Sequence, residues 1–201
     1  MLSPDAILRW VDTVRVGIDR VWPQVGIRRQ ERSVSWTPPE EGEVAVHCDG
    51  SKGASPGTSG FGGCLRDSRG GWLVGFWGFG GSDSVLCMEL MAIFHGLSLA
   101  WDNGFRRVLC LSDSLLAVNL IQTPPSSHHV FAVVVGNICG LLRRDWRVCV
   151  QHTLREGNAC ADFLAKAGAA QAARFSVMGE PPPGLTPLLL ADVVGTVFVR
   201  R

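Results

Sequence analysis

The feature that most constrains this chain is a change of rhythm near residue 80. Before it, apolar residues come in short stretches. Val44, Val46 and Cys48 alternate with their neighbours, and Phe61 to Leu65 and Trp72 to Phe79 are separated by Arg66-Asp67-Ser68-Arg69-Gly70-Gly71, composed like a hairpin loop. After it, Val85 to Trp101 is a long stretch rich in Leu, Met, Ala and Phe, closed by Asn103-Gly104. Its length predicts a helix rather than a strand.

A short strand follows at Val108 to Leu111, then a helix from Leu115 to Ile121 stopped by Pro124-Pro125. A helix from Val130 to Leu142, a strand holding Val148 and Val150, and an alanine-rich helix from Asn158 to Ala173 complete the order βββαβααβα. An initial meander followed by alternating strands and helices implies an α/β fold. Its five-stranded mixed sheet is antiparallel first, then parallel through crossover helices that flank it. Ligands of such sheets bind beyond the carboxyl ends of the central parallel strands.

Outside this core the chain changes character. Ser3-Pro4-Asp5 reads as a helix start, and Ile7, Val11, Val14, Ile18 and Val21 fall on one stripe. The prolines of Trp36-Thr-Pro-Pro-Glu-Glu-Gly cannot continue that helix, which places an amphipathic helix and linker at 1–42 and the main domain at 43–173. Gly179-Glu-Pro-Pro-Pro-Gly is a stiff linker inside a third segment, 174–201, whose apolar end either docks on the domain or stays loose.

Composition narrows the function. With 46% hydrophobic and 18% charged residues the chain can bury a core, and a net charge of +1 excludes a histone-like basic clamp. The seven cysteines are an odd number without a CxxC pair, which reads as reduced core residues of an intracellular, non-secreted protein. No signal-like leader opens the chain and apolar stretches break well short of about 20 residues, so no membrane anchor is expected.

Four acids carry the chemistry. Asp49 and Asp113 each follow an apolar strand and would emerge at the same sheet edge if those strands are adjacent and parallel. Glu89 and Asp162 sit inside core-like helices, where an unpaired carboxylate costs several kcal/mol. Few basic partners stand nearby and no compensating lysine is expected, which favours a bound divalent cation. Taken singly, each acid could equally cap a helix, sit in a turn or face solvent.

From about Glu43 to Gln171 the chain resembles a type 1 ribonuclease H domain, and within that family the plant reverse-transcriptase-like form of retroelement polyproteins. The matching residues are Cys48-Asp49-Gly50-Ser51, Gly60-Phe-Gly-Gly, Arg66-Asp67-Ser68-Arg69-Gly70, Met88-Glu89-Leu90-Met91-Ala92, Ser112-Asp113-Ser114, and His152 with Arg155-Glu156-Gly157-Asn158 before Ala161-Asp162. Their order and spacing together are specific, although each motif alone is weak.

The resemblance implies that Asp49, Glu89, Asp113 and Asp162 hold two Mg²⁺ or Mn²⁺ ions for cleavage of the RNA strand of an RNA–DNA hybrid. It also implies that His152, on the loop before the last helix, assists proton transfer or release of product and metal. The Gly50-Ser51 turn would let backbone N–H groups approach the RNA strand. On its alternating strand His47 faces away from Cys48 and reads as structural, and His95, His128 and His129 have no role.

Val85, Leu86 and Leu115 stand where the family carries polar substrate contacts, which weakens the grip on a hybrid. Arg106, Arg107, Arg143, Arg144 and Arg147 are the candidate phosphate contacts. The alternative function is a catalytically weak or inactive retroelement-derived module that binds nucleic acid or protein. A further reading makes the N-terminal helix and the apolar C-terminal segment docking surfaces for a protein partner.

Overall fold

The computed structural model describes residues 32–200 except 54, 56, 82, 83, 172 and 173; at 32–34 and 198–200 the backbone alone is described. The amphipathic helix expected from Ser3 lies outside the described residues.

Strands β1 (Arg32–Val34) and β8 (Phe198–Arg200) form a separate two-stranded sheet. The main sheet contains β2 (Val44–Lys52), β3 (Ser59–Arg66), β4 (Trp72–Phe79), β5 (Arg107–Ser112), β6 (Arg147–His152) and β7 (Ser176–Met178). Their order is β6-β5-β2-β3-β4-β7. The β2–β3 and β3–β4 pairs are antiparallel, and β2–β5 and β5–β6 are parallel. The meander and the parallel half are therefore both as expected.

The sheet has six strands, not five. The sixth, β7, pairs antiparallel with β4 through Met178, Val177 and Ser176 opposite Gly75, Phe76 and Trp77. Three residues are too few to display a period of two, so this strand left no sequence signal.

Helix α1 (Val85–Asp102) starts at an N-cap, Ser84, whose side chain accepts from the Cys87 N–H. It lays Leu90, Ile93 and Leu97, all fully buried, against the sheet. Helices α2 (Leu115–Gln122) and α3 (Ala132–Leu142) join the same cluster through Val118, Ile121, Val135 and Ile138. On the opposite face lies α4 (Ala159–Ala170), shorter than the predicted helix, with Leu164 and Cys160 packed on Cys64.

The glycines of β3 explain how closely α4 can approach. A Cβ on Gly62 would lie 2.5 Å from the Leu164 carbonyl carbon, and one on Gly60 would lie 2.6 Å from the Ala165 carbonyl oxygen. Only a strand without side chains at these points lets the small residues of α4 touch its backbone.

The segment after residue 174 docks on the main sheet. Leu185 is fully buried beside Cys64, Cys160 and Leu164. Helix α5 (Thr186–Val193) brings Asp192 Oδ2 to 2.5 Å from Nη1 of Arg66, itself wholly buried on β3. Ser33–Phe198 thus form one compact unit, which takes in Trp36 before β2 and α5 after β7.

Candidate active site

Asp49 and Asp113 owe their proximity to register. In the parallel pair β2–β5, Cys48 stands opposite Ser112, so the next residue on each strand is an aspartate at the same rim. Glu89 reaches this rim from α1, because Gly50 on β2 has no side chain to hold the helix away. A Cβ there would lie 2.8 Å from the Met88 carbonyl carbon and 2.9 Å from its Cβ.

One carboxylate oxygen each from Asp49, Glu89 and Asp113 lie within 4.8 Å of one another. Asp49 and Glu89 are buried, and Asp113 is half-buried. Glu89 is held in place: Ser112 Oγ donates to its Oε2 at 3.3 Å, and the Ser114 N–H donates to Ser112 Oγ at 3.1 Å.

Without a cation the cluster repels itself. Burial, then the charges of Glu89 and Asp113, push the Asp49 carboxyl up to about 9. Burial and the charge of Asp113 push Glu89 up to about 7, against hydrogen bonds from Gly50 and Ser112 that favour its ionised form. Three hard oxygen donors this close, two of them unwilling to ionise alone, suit a small divalent cation.

Asp162 stands apart from that trio. Its Oδ2 takes Nζ of Lys166 at 2.6 Å and its Oδ1 takes Nη2 of Arg155 at 3.4 Å. Its charge is nevertheless felt at Asp49. The sequence expectation that the acids lack a compensating lysine is corrected here, since Asp162 and Lys166 are one helical turn apart. That i,i+4 spacing was the signal to read.

His152 is exposed, and its Nε2 lies 3.2 Å from the Asp113 carbonyl oxygen. It ends strand β6 opposite Ser112, rather than lying on a following loop. Ser51 is half-buried and lines a cleft of about 440 Å³ together with Thr58 and both lysines of the chain, Lys52 and Lys166.

The arginines singled out from sequence lie elsewhere. Arg107 and Arg147 pair at the opposite ends of β5 and β6, roughly 17 Å of strand from the acidic rim. Arg107 pairs with Glu40 at 3.3 Å, Arg106 stacks at 4.0 Å on Trp101, and Arg144 faces the same ring at 4.9 Å. Arg155 and Lys166 are the cations that pair with the Asp162 carboxylate.

His47 is buried behind Asp49 on the face opposite Cys48, as the alternation required. Burial, then the charge of Arg66, lower it to about 4, so it is neutral. Its Nε2 accepts from Trp36 Nε1 at 2.9 Å, and its Nδ1 lies 3.3 Å from Asn158 Oδ1. Asn158, the residue before α4, in turn donates from Nδ2 to the Cys48 carbonyl at 2.9 Å. The sequence reading places Ser112 and Asn158 in matching motifs but gives them no role, because that role lies in the partners that folding supplies.

The profile of the "Reverse transcriptase-like" family matches residues 47–168, more than half of the chain. An Arabidopsis thaliana protein named "Putative ribonuclease H protein" is 34% identical over 173 residues, which are 86% of this chain and 28% of that protein. The chain therefore spans little more than a quarter of this relative's length.

Among solved structures, the N-terminal RNase H domain of a Mycobacterium tuberculosis protein superposes with a TM-score of 0.59 at 23% identity, covering 65% of this chain and 97% of that one. RNase H1 from Halobacterium salinarum gives 0.59 at 23%, covering 65% and 99%. LC11-RNase H1, solved in complex with an RNA/DNA hybrid, gives 0.56 at 23%, covering 64% and 99%. The strand order, the acids at its rim and these likenesses agree, and the chain belongs to the reverse transcriptase-like family of ribonuclease H-fold proteins.

Proposed function

We propose that this protein is a metal-dependent endonuclease that hydrolyses the RNA strand of RNA–DNA hybrids, with Asp49, Glu89, Asp113 and Asp162 holding two Mg²⁺ or Mn²⁺ ions. The observation that carries this reading is the convergence of three carboxylate oxygens within 4.8 Å at the carboxyl ends of adjacent parallel strands. Bound there, the ions would activate a water and stabilise the leaving oxygen of an in-line displacement.

The chain's own residues do the rest. Gly50, expected from the sequence to meet the RNA backbone, is instead buried beneath α1 with its N–H turned to Glu89, and the half-buried Ser51 beside it is the residue offered to the RNA. Ser112 and the Gly50 N–H donate to Glu89 and favour its ionised form against the burial that raises its pKa. His152, exposed beside Asp113, is placed to take or give a proton at the rim. Lys166 and Arg155 hold Asp162 until a competing positive charge or a phosphate changes their balance.

The seven free thiols fit an intracellular, reducing location. The test is incubation of the full chain with a labelled RNA–DNA hybrid and Mg²⁺ or Mn²⁺. Cleavage of the RNA strand above an Asp49→Asn control is expected, and its absence overturns the proposal.

One observation favours a second reading, a binding module without useful turnover. Leu115 and Val85 are 55% and 40% exposed beside Asp113 and Glu89, where polar contacts would serve a hybrid better. Hybrid binding with no cleavage at any divalent metal concentration would establish that reading.

A further inference from the structure

Trp36 lies ahead of the matched family segment, yet it joins a chain of hydrogen bonds that ends at the strand carrying Asp49. The direction of every link is determined. An indole N–H only donates, so Nε2 of His47 must be an acceptor. A neutral imidazole then carries its proton on Nδ1 and donates it to Asn158 Oδ1. That fixes which way the Asn158 amide points, and its Nδ2 donates to the Cys48 carbonyl.

The last bond ties two elements of the site together. The Cys48 carbonyl belongs to the peptide unit from which Asp49 springs. Asn158 precedes α4, and its backbone carbonyl accepts from the Asp162 N–H at 3.1 Å. One side chain therefore spans the gap between the strand of Asp49 and the helix of Asp162. Trp36 is itself 8% exposed and clamped, with the Arg66 guanidinium 4.1 Å over its ring and Arg66 in turn paired to Asp192.

We propose that Trp36, acting through His47 and Asn158, is a positioning residue that sets the placement of Asp162 against Asp49 and so tunes divalent cation binding at the rim. This rests on the reading of the carboxylates as a cation site. Partners one step outside a ligand set orient it, and their loss typically weakens metal binding or activity by about 10–100-fold.

The experiment uses the full chain and the variant Trp36→Phe, which keeps a ring beneath Arg66 and removes the single N–H. Long-range ¹H–¹⁵N correlation spectra report the His47 tautomer, and Mn²⁺ affinity is measured by titration calorimetry beside hybrid cleavage. The expected result is a pure Nδ1–H tautomer in the parent and a mixture in Trp36→Phe. Mn²⁺ binding should weaken by about three- to tenfold in that variant, and by about 10–100-fold in Asn158→Leu, which removes the tie itself.

An Nε2–H tautomer in the parent overturns the proposal whatever the variants do. So does unchanged Mn²⁺ affinity in the folded variants, since a purely structural role would lower thermal stability alone. Weakened Mn²⁺ binding in variants of a parent that cuts no hybrid would leave the positioning role standing and remove the nuclease reading. Cleavage by the parent with variants unaltered in Mn²⁺ dependence would do the reverse.

Discussion

Gly50 and Glu89 meet backbone to backbone: a Cβ on Gly50 would collide with the Glu89 nitrogen and press on Met88. This contact seats helix α1 low enough on strand β2 for the Glu89 carboxylate to join Asp49 and Asp113.

Gly50→Ala is therefore expected to act on the site and on the fold together. Overpacking of this kind costs about 1–3 kcal/mol. Urea denaturation should show that loss, and Mg²⁺-dependent thermal stabilisation should fall with it as Glu89 is pushed off the rim. Undiminished stability and Mg²⁺ response in Gly50→Ala would show that the helix seats by other contacts.

The carboxylates make the cation-free protein sensitive to alkali. Folded Asp49 and Glu89 titrate at about 9 and about 7, above their unfolded values, so the folded chain holds protons that the unfolded chain releases. Their contribution is complete below the unfolded pKa and is lost as pH rises through the folded pKa. The Glu89 shift alone corresponds to roughly 3 kcal/mol. Melting scans in a chelator should show stability falling from pH 5 to pH 9, and Mg²⁺ should restore more of it at pH 9 than at pH 5. In Asp49→Asn both the fall and the Mg²⁺ response should shrink.

Arg66 has no solvent to fall back on. Its side chain is 0% exposed, and Asp192 is its carboxylate partner, with the Gly70 carbonyl accepting from Nε and Nη2. Removing one member of a buried pair typically costs about 3–5 kcal/mol because the other charge is stranded. Asp192→Ala should lower stability by that order and loosen α5, read as faster amide exchange around Leu185. Replacing both residues with apolar ones, Arg66→Met with Asp192→Leu, should recover much of the loss.

His152 contacts the rim through the Asp113 carbonyl and is exposed, so its removal should spare the fold. His152→Ala is expected to lower kcat for hybrid cleavage by about 10²-fold, in the range of a lost proton-transfer group. The metal concentration at half-maximal rate should stay near the parent value. An unaltered kcat would assign His152 to the surface.

Much of this protein was legible in local pattern. Alternation marked β2, and the length and composition of the stretch after Ser84 marked α1, because periodicity and capping act within one element. The acids were conspicuous for a related reason: a carboxylate in an apolar helix or at a strand end calls for a partner.

What the linear chain could not decide was who supplies that partner. Cys48 opposite Ser112 brings two aspartates side by side only once β2 and β5 pair in parallel. Lys166 and Arg155 claim Asp162, and Trp36 and Asp192 close on Arg66 from segments that read as a linker and a tail. The candidate phosphate-binding arginines ended at the far side of the sheet for the same reason. Strand direction and long-range pairing set where a charge lies, whereas local sequence sets only that it is there.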